Sequence, residues 1–217
     1  MWTVIAGLLI FGLSLQAQDC TFYFPTKKGT SLELKTYNAK DKVTGTSKSN
    51  IVESTATSVK FNTEVLDSKG NSVSKGDYEV KCAGGEFVVD MKSYLQNVDM
   101  SKYKGMEMTV DARNMSIPSK LQAGQRLNDG EVDLKFQFMT ISVKIYNRIV
   151  AGFEDITTPA GKFKCAKITA NIDSKTVLTM KSKSVEWISE KVGVVRSENY
   201  NTSDKLLGYT VLTAITQ

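Results

Sequence analysis

Apolar and polar residues alternate with a period of two through most of this chain, and sustained helical periodicity is almost absent. Leu32 and Leu34 alternate with charged or polar partners between Thr30 and Tyr37. Val59, Phe61, Thr63 and Val65 share one face of an extended segment, and Lys60, Asn62 and Glu64 share the other. Met106, Met108 and Val110 repeat the pattern. Val132, Leu134, Phe136 and Phe138 then occupy even positions, whereas Ile141, Val143 and Ile145 occupy odd ones. A one-residue slip sends every side chain to the opposite face, so a bulge or tight turn is expected between 138 and 141. Further strands are expected over residues 163–172, 176–180, 185–188, 194–200 and 209–215.

Turn chemistry separates these segments. Asp67-Ser-Lys-Gly-Asn71, Lys75-Gly-Asp77, Asp173-Ser-Lys175, Lys191-Val-Gly193 and Asn201-Thr-Ser-Asp204 are polar clusters of the kind that reverse a chain. Gly84-Gly85 between two strand-like runs is a hairpin signal. One short helix is expected after Asp90, a good N-cap, because Met91, Tyr94, Leu95 and Val98 fall on one helical face. Residues 118–130 read as a long polar connection within one domain. Strands at such spacing predict an all-β fold: a single antiparallel β-barrel or strongly curved sheet with one short helix.

The start of the chain has a different character. Val4 to Leu15 is uncharged and mostly apolar, and Gln16-Ala17-Gln18-Asp19 follows at once. That run is too short for a membrane span and fits the core of a signal peptide. Residues 1–17 are therefore expected to be a signal peptide cleaved after Ala17, and residues 18–217 a single β domain with no transmembrane span. An N-terminal buried strand or helix is the alternative.

Composition excludes more than it specifies. The chain contains no histidine. This removes Ser-His-Asp triads, Cys-His pairs and His-based zinc sites. Ser72-Val-Ser-Lys75 and Ser101-Lys-Tyr-Lys104 match the spacing of serine–lysine acylases but lack a companion motif, and Gly161-Lys162 lacks the earlier glycine of a P-loop. No catalytic residue, metal site or cofactor is expected. The net charge of +5 is carried mainly by scattered lysine, without the Arg-and-aromatic patch of a nucleic-acid reader, so no nucleic-acid partner is expected.

Three cysteines, at 20, 82 and 165, suggest one pair and one leftover thiol. A Cys20–Cys82 disulfide would tie the N-terminus to the sheet, with Cys165 a small buried hydrophobe. A lipid-bearing Cys20 is the alternative, although Gln18-Asp19 stands where lipid attachment requires small residues.

Arginine is scarce, at 113, 126, 148 and 196, so an arginine inside a strand suggests a need for its planar fork. Arg148 and Arg196 are expected to pair with strand carboxylates such as Glu154, Glu186 or Glu198. In the functional version of that reading, they face a cavity and hold an anionic group. Glu154-Asp155, Glu186, Glu190 and Glu198 could also supply the acid pair of a glycan-acting enzyme, although solvated acids are the commoner outcome.

Read in order, several stretches resemble a family of exported proteins from Bacteroides-type bacteria, sometimes labelled TapB-like. They are Cys20 with Tyr23 and Pro25, Tyr78-x-Val80-x-Cys82 with Asp90-Met91, and Pro118-x-x-Leu121-x-x-Gly124-x-x-Leu127-x-Asp129. The strongest run joins Asn147-Arg148 to Glu154-x-x-Thr157-Thr-Pro-Ala-Gly161-x-Phe163-x-Cys165-x-Lys167-Ile168. Glu186-Trp187, Gly193-Val-Val-Arg196-x-Glu198 and Lys205-Leu-x-Gly208 close it. The resemblance implies an all-β, barrel-like fold of the YmcC-like kind and carries no activity with it. The function expected is non-catalytic: an exported periplasmic or envelope protein that binds a lipid, or another apolar or amphipathic small molecule, in or beside the barrel. A structural or interaction component of an envelope assembly, with an envelope protein partner, is the alternative, and a carboxylate-dependent glycan enzyme is a distant third.

Overall fold

A computed structural model describes residues 20–95, 107–136, 139–176 and 178–216. The expected signal peptide, its cleavage site, and the expected roles of Val98, Met106 and Phe138 lie outside the described residues.

The strands, in chain order, are β1 (Ser31–Asn38), β2 (Val43–Ser54), β3 (Ser58–Asp67), β4 (Ser72–Ala83), β5 (Glu86–Val89), β6 (Met108–Arg113) and β7 (Met115–Pro118). They continue with β8 (Gly130–Phe136), β9 (Thr140–Thr158), β10 (Gly161–Lys175), β11 (Thr179–Ser189), β12 (Gly193–Asn201) and β13 (Leu206–Thr216). All belong to one antiparallel sheet in the order β6-β8-β9-β10-β11-β12-β13-β1-β2-β3-β4-β5-β7. The sheet curls until it nearly closes on itself. Strand β9 approaches β12 and β13, three and four places away in that order.

One turn is used three times. At the ends of β1, β3 and β12, the Oδ1 atoms of Asn38, Asp67 and Asn201 each accept the N–H groups two and four residues on. Asp41, Gly70 and Asp204, three residues on, sit at φ 58°, 86° and 60°. Asn and Asp suit this position because their side chains satisfy the turn's own backbone. Gly84 and Gly85 take φ 61° and 79°, the paired left-handed conformation of a two-residue hairpin. The parity change between Phe136 and Ile141 is the β8–β9 hairpin, closed by Phe136 N–H to the Met139 carbonyl.

The expected helix is only a 3-10 turn, Met91–Leu95. Asp90 does cap it, accepting the Lys92 N–H at 3.0 Å, but the Asn114 side chain holds the Met91 N–H, and the Met91 side chain is fully buried in the core.

The main core joins the strands to the N-terminal segment: Phe22 and Tyr23 pack with Ile51, Phe87, Val150 and Ile168. The Cys20–Cys82 disulfide fixes that segment to β4, and Cys165 is free and buried.

Candidate functional site

The two outermost strands of the sheet, β6 and β7, are consecutive in sequence and separated by Asn114 alone. The chain therefore steps directly from one edge of the sheet to the other, and the ring is closed covalently. The free edge of β7 meets side chains instead of a strand. Ser116 donates its N–H and hydroxyl to Asn128 Oδ1 at 2.7 and 3.0 Å, and Asn128 Nδ2 donates to the Asn114 carbonyl at 3.0 Å. Arg148 Nη1 donates to the carbonyls of Ser116 (3.2 Å) and Asn128 (2.8 Å).

A bulge aims Arg148 inward. Between Thr169 and Asn171 the β9–β10 register shifts, and Asn147 takes a left-handed φ of 54°. Ile145 is buried at an odd position, whereas Arg148 and Val150 are buried at even ones. Arg148 is only 4% exposed. It reaches an interior cavity of about 150 Å³ that Glu186 also lines. Glu186 is half-buried there. Burial pushes its carboxyl above the ordinary range, and the Arg148 charge opposes that rise.

Arg196 and Glu198 lie on the opposite face of the sheet, since Trp187 pairs with Arg196 and Val185 with Glu198 while Glu186 pairs with Ser197. Arg196 donates from Nε to Glu198 Oε1 at 2.7 Å, Tyr200 donates to Oε2, and the guanidinium lies 4.8 Å from the Tyr209 ring centre. This cluster is an ion pair on an aromatic shelf. Glu154 shares that face through its pairing with Cys165, accepting the Trp187 indole N–H at 2.5 Å and the Lys167 ammonium at 3.2 Å. The predicted residues thus fall into an inner pair, Arg148 and Glu186, and an outer set, Arg196, Glu198 and Glu154.

A larger cleft of about 470 Å³ opens where β9, β10 and β11 meet the N-terminal segment. Phe153, Ala166, Ile188 and the Tyr23 ring give it an apolar wall, and Glu154, Asp155, Glu190 and Lys164 give it a charged rim. Phe153 is 59% exposed, which is unusual for a phenylalanine beside a core. Burial, and then Glu190, raise the Tyr23 phenol to about 12, and burial raises the Cys165 thiol to about 11. Hydrogen bonds from Trp187 and Lys167 hold Glu154 below the ordinary carboxylate range, and Lys162 does the same for Asp155. A glycosidase general acid needs the reverse shift.

Among the described residues no three His, Cys, Asp or Glu side chains converge as metal ligands, and no helix is long and apolar enough to cross a membrane. Sequence reasoning missed Asn128, Asn147 and Phe153. The parity change from Ile145 to Val150 was a usable sign of the bulge at Asn147.

Residues 27–212 match the DUF3108-like family. This chain belongs to that family. Two solved structures resemble the DUF3108-like chain over 91% of its length and all of theirs, each with a TM-score of 0.75. One, 24% identical, is a Bacteroides fragilis protein described as exported and of YmcC-like fold. The other, 28% identical, is a Parabacteroides distasonis protein described as a lipoprotein. The fold of the DUF3108-like chain is thus YmcC-like. No curated protein matches it.

Proposed function

We propose that this chain is exported to the periplasm or cell envelope, and that it binds an apolar or amphipathic molecule in the cleft between Tyr23 and Phe153 without transforming it. The observation that carries the reading is that cleft: about 470 Å³, within the usual range of small-molecule sites, with an exposed phenylalanine on its wall. Phe153, Ile188 and Tyr23 would cover the apolar body of a ligand. The rim carries Glu154, Asp155 and Glu190 against Lys164, which favours a cationic or hydrogen-bond-donating end. Export is supported by the apolar run before Ala17, by the descriptions of the two solved relatives, and by the Cys20–Cys82 disulfide, which persists in oxidising compartments.

Native mass spectrometry of the protein taken from its own envelope fraction tests both parts. The expected result is a chain lacking residues 1–17 that carries a small molecule released on denaturation, and a Phe153→Asp protein that carries none. An intact leader would overturn the export part, and a bare wild-type chain the binding part. A second reading, a component that accepts a partner strand, is favoured by β6, whose six residues are all exposed and which has one neighbour in the sheet among the described residues. A bare monomer that captures an envelope protein through β6 would favour it.

A further inference from the structure

Antiparallel pairing sorts the turns between strands into two ends of the barrel. The turns that join β1 to β2, β3 to β4, β8 to β9, β10 to β11 and β12 to β13 all lie at one end, and β6 starts there. This rim is apolar for a surface that faces solvent. Leu178 and Met180, in and just after the β10–β11 turn, are 74% and 68% exposed. Val73 and Leu207, each the second residue of the strand that leaves its turn, are exposed as well, and so is Met108 at the start of β6. Among the described residues the other exposed large apolar side chains are Val110, midway along β6, and Val52 and Phe153, toward the opposite end.

The charges of the rim are left unbalanced by its own contacts. Asp41 accepts the Tyr209 hydroxyl, Asp67 holds its own turn, and Lys183 takes Asp204 at 2.6 Å. Lys40, Lys42, Lys69, Lys175 and Lys205 are exposed, and none has a carboxylate within ion-pair reach among the described residues. Three of these free ammonium groups stand close to an apolar tip in the chain: Lys175 before Leu178, Lys205 before Leu207 and Lys69 before Val73. That combination suits the headgroup layer of a phospholipid membrane, where an apolar side chain enters the acyl boundary and a neighbouring ammonium stays with phosphate. Anionic lipid adds attraction for each lysine. The apolar tips sit on separate hairpins with polar turn residues between them, so a fluid lipid surface receives each one where a folded protein would need one dry patch. We propose that this end of the barrel docks on the surface of an anionic phospholipid membrane, with Leu178 and Met180 as its main anchor. The cleft lies toward the opposite end, and the proposal does not depend on it.

Co-sedimentation of the protein from its own envelope fraction with vesicles of phosphatidylethanolamine and phosphatidylglycerol tests this. Binding is expected, and it should weaken on phosphatidylcholine vesicles and at raised salt. Leu178→Asp and Met180→Asp together should weaken it about tenfold, while Val52→Asp at the other end leaves it unchanged. Thermal unfolding checks that the variants fold, and Leu207→Asp replaces the double variant if that one does not. No binding to the anionic vesicles would overturn the proposal. So would binding that the rim substitutions leave intact, or that Val52→Asp weakens equally. A loss produced by Phe153→Asp alone would place the lipid in the cleft and overturn it too. Self-association without vesicle binding, dissolved by the rim substitutions, would overturn it in favour of an interface between copies.

Discussion

The Arg148 guanidinium gives two backbone carbonyls of the seam, Ser116 and Asn128, a shared donor in Nη1. Arg148 is buried, but its carbonyl partners are only partly so, Asn128 being exposed, so Arg148→Met should lower stability by about 1–3 kcal/mol in urea unfolding. Arg148→Lys should recover part of that, since an ammonium lacks the planar fork. An Arg148→Met protein as stable as wild type would show the clamp to be idle. Glu186 makes a separate prediction. Its folded-state carboxyl is raised by burial, so the unfolded chain gives up its proton first as pH rises. Glu186 therefore withdraws stability as pH climbs from the ordinary carboxylate range, near about 4.3, toward its raised folded value. Urea midpoints of wild type and Glu186→Gln, followed across that range, should diverge in favour of glutamine as pH increases. Converging curves would contradict the assigned burial. At this scale, the sequence revealed the arginines through their scarcity among lysines. It hid Asn128, because an asparagine among many gains meaning only from what the fold sets beside it.

Elements depend on contacts that a single atom can spoil. A Cβ on Gly208 would lie 2.5 Å from the Tyr37 carbonyl oxygen, a backbone atom that cannot swing aside. Gly208→Ala should therefore pry β1 from β13 and cost about 1–3 kcal/mol, read as a lowered thermal midpoint. Gly130→Ala would press on Met115 Cγ and Met91 Sδ, both buried in the core, and should cost a similar amount. The Cys20–Cys82 bridge closes a long loop, so Cys82→Ser should cost about 3–5 kcal/mol, and reductant should lower the wild-type midpoint but not the variant's. Hairpins were legible because Asn, Asp and Gly mark them locally. The helix expected after Asp90 is a 3-10 turn, because its type is set by partners distant in sequence: Asn114 takes the Met91 N–H, and Met91 is received between Met115 and Val132.

For the whole molecule, the alternation identified the layer but not the ring. No local pattern states that β13 will lie beside β1, or that Asn114 will join the two ends of the sheet. If that single-residue step closes the ring, two glycines inserted after Asn114 should loosen it. Hydrogen exchange would then rise across β5–β8, while the same insertion in the 119–129 loop would leave those strands protected. Equal protection in both would mean that the side-chain clamp suffices.

The pairing of Ser31 with Thr216 has a consequence for how the chain is made. A ribosome delivers β1 first and β13, eleven residues long, last. Until those residues emerge, β1 can pair with β2 but offers its other side as an open template to any passing chain. The sheet therefore stays unclosed until β13 has been made, and nonlocal pairing of this kind is slow to form. Chains lacking β13 would lose the strand that lies between β12 and β1, and would meet the cell as aggregates rather than as weakened barrels.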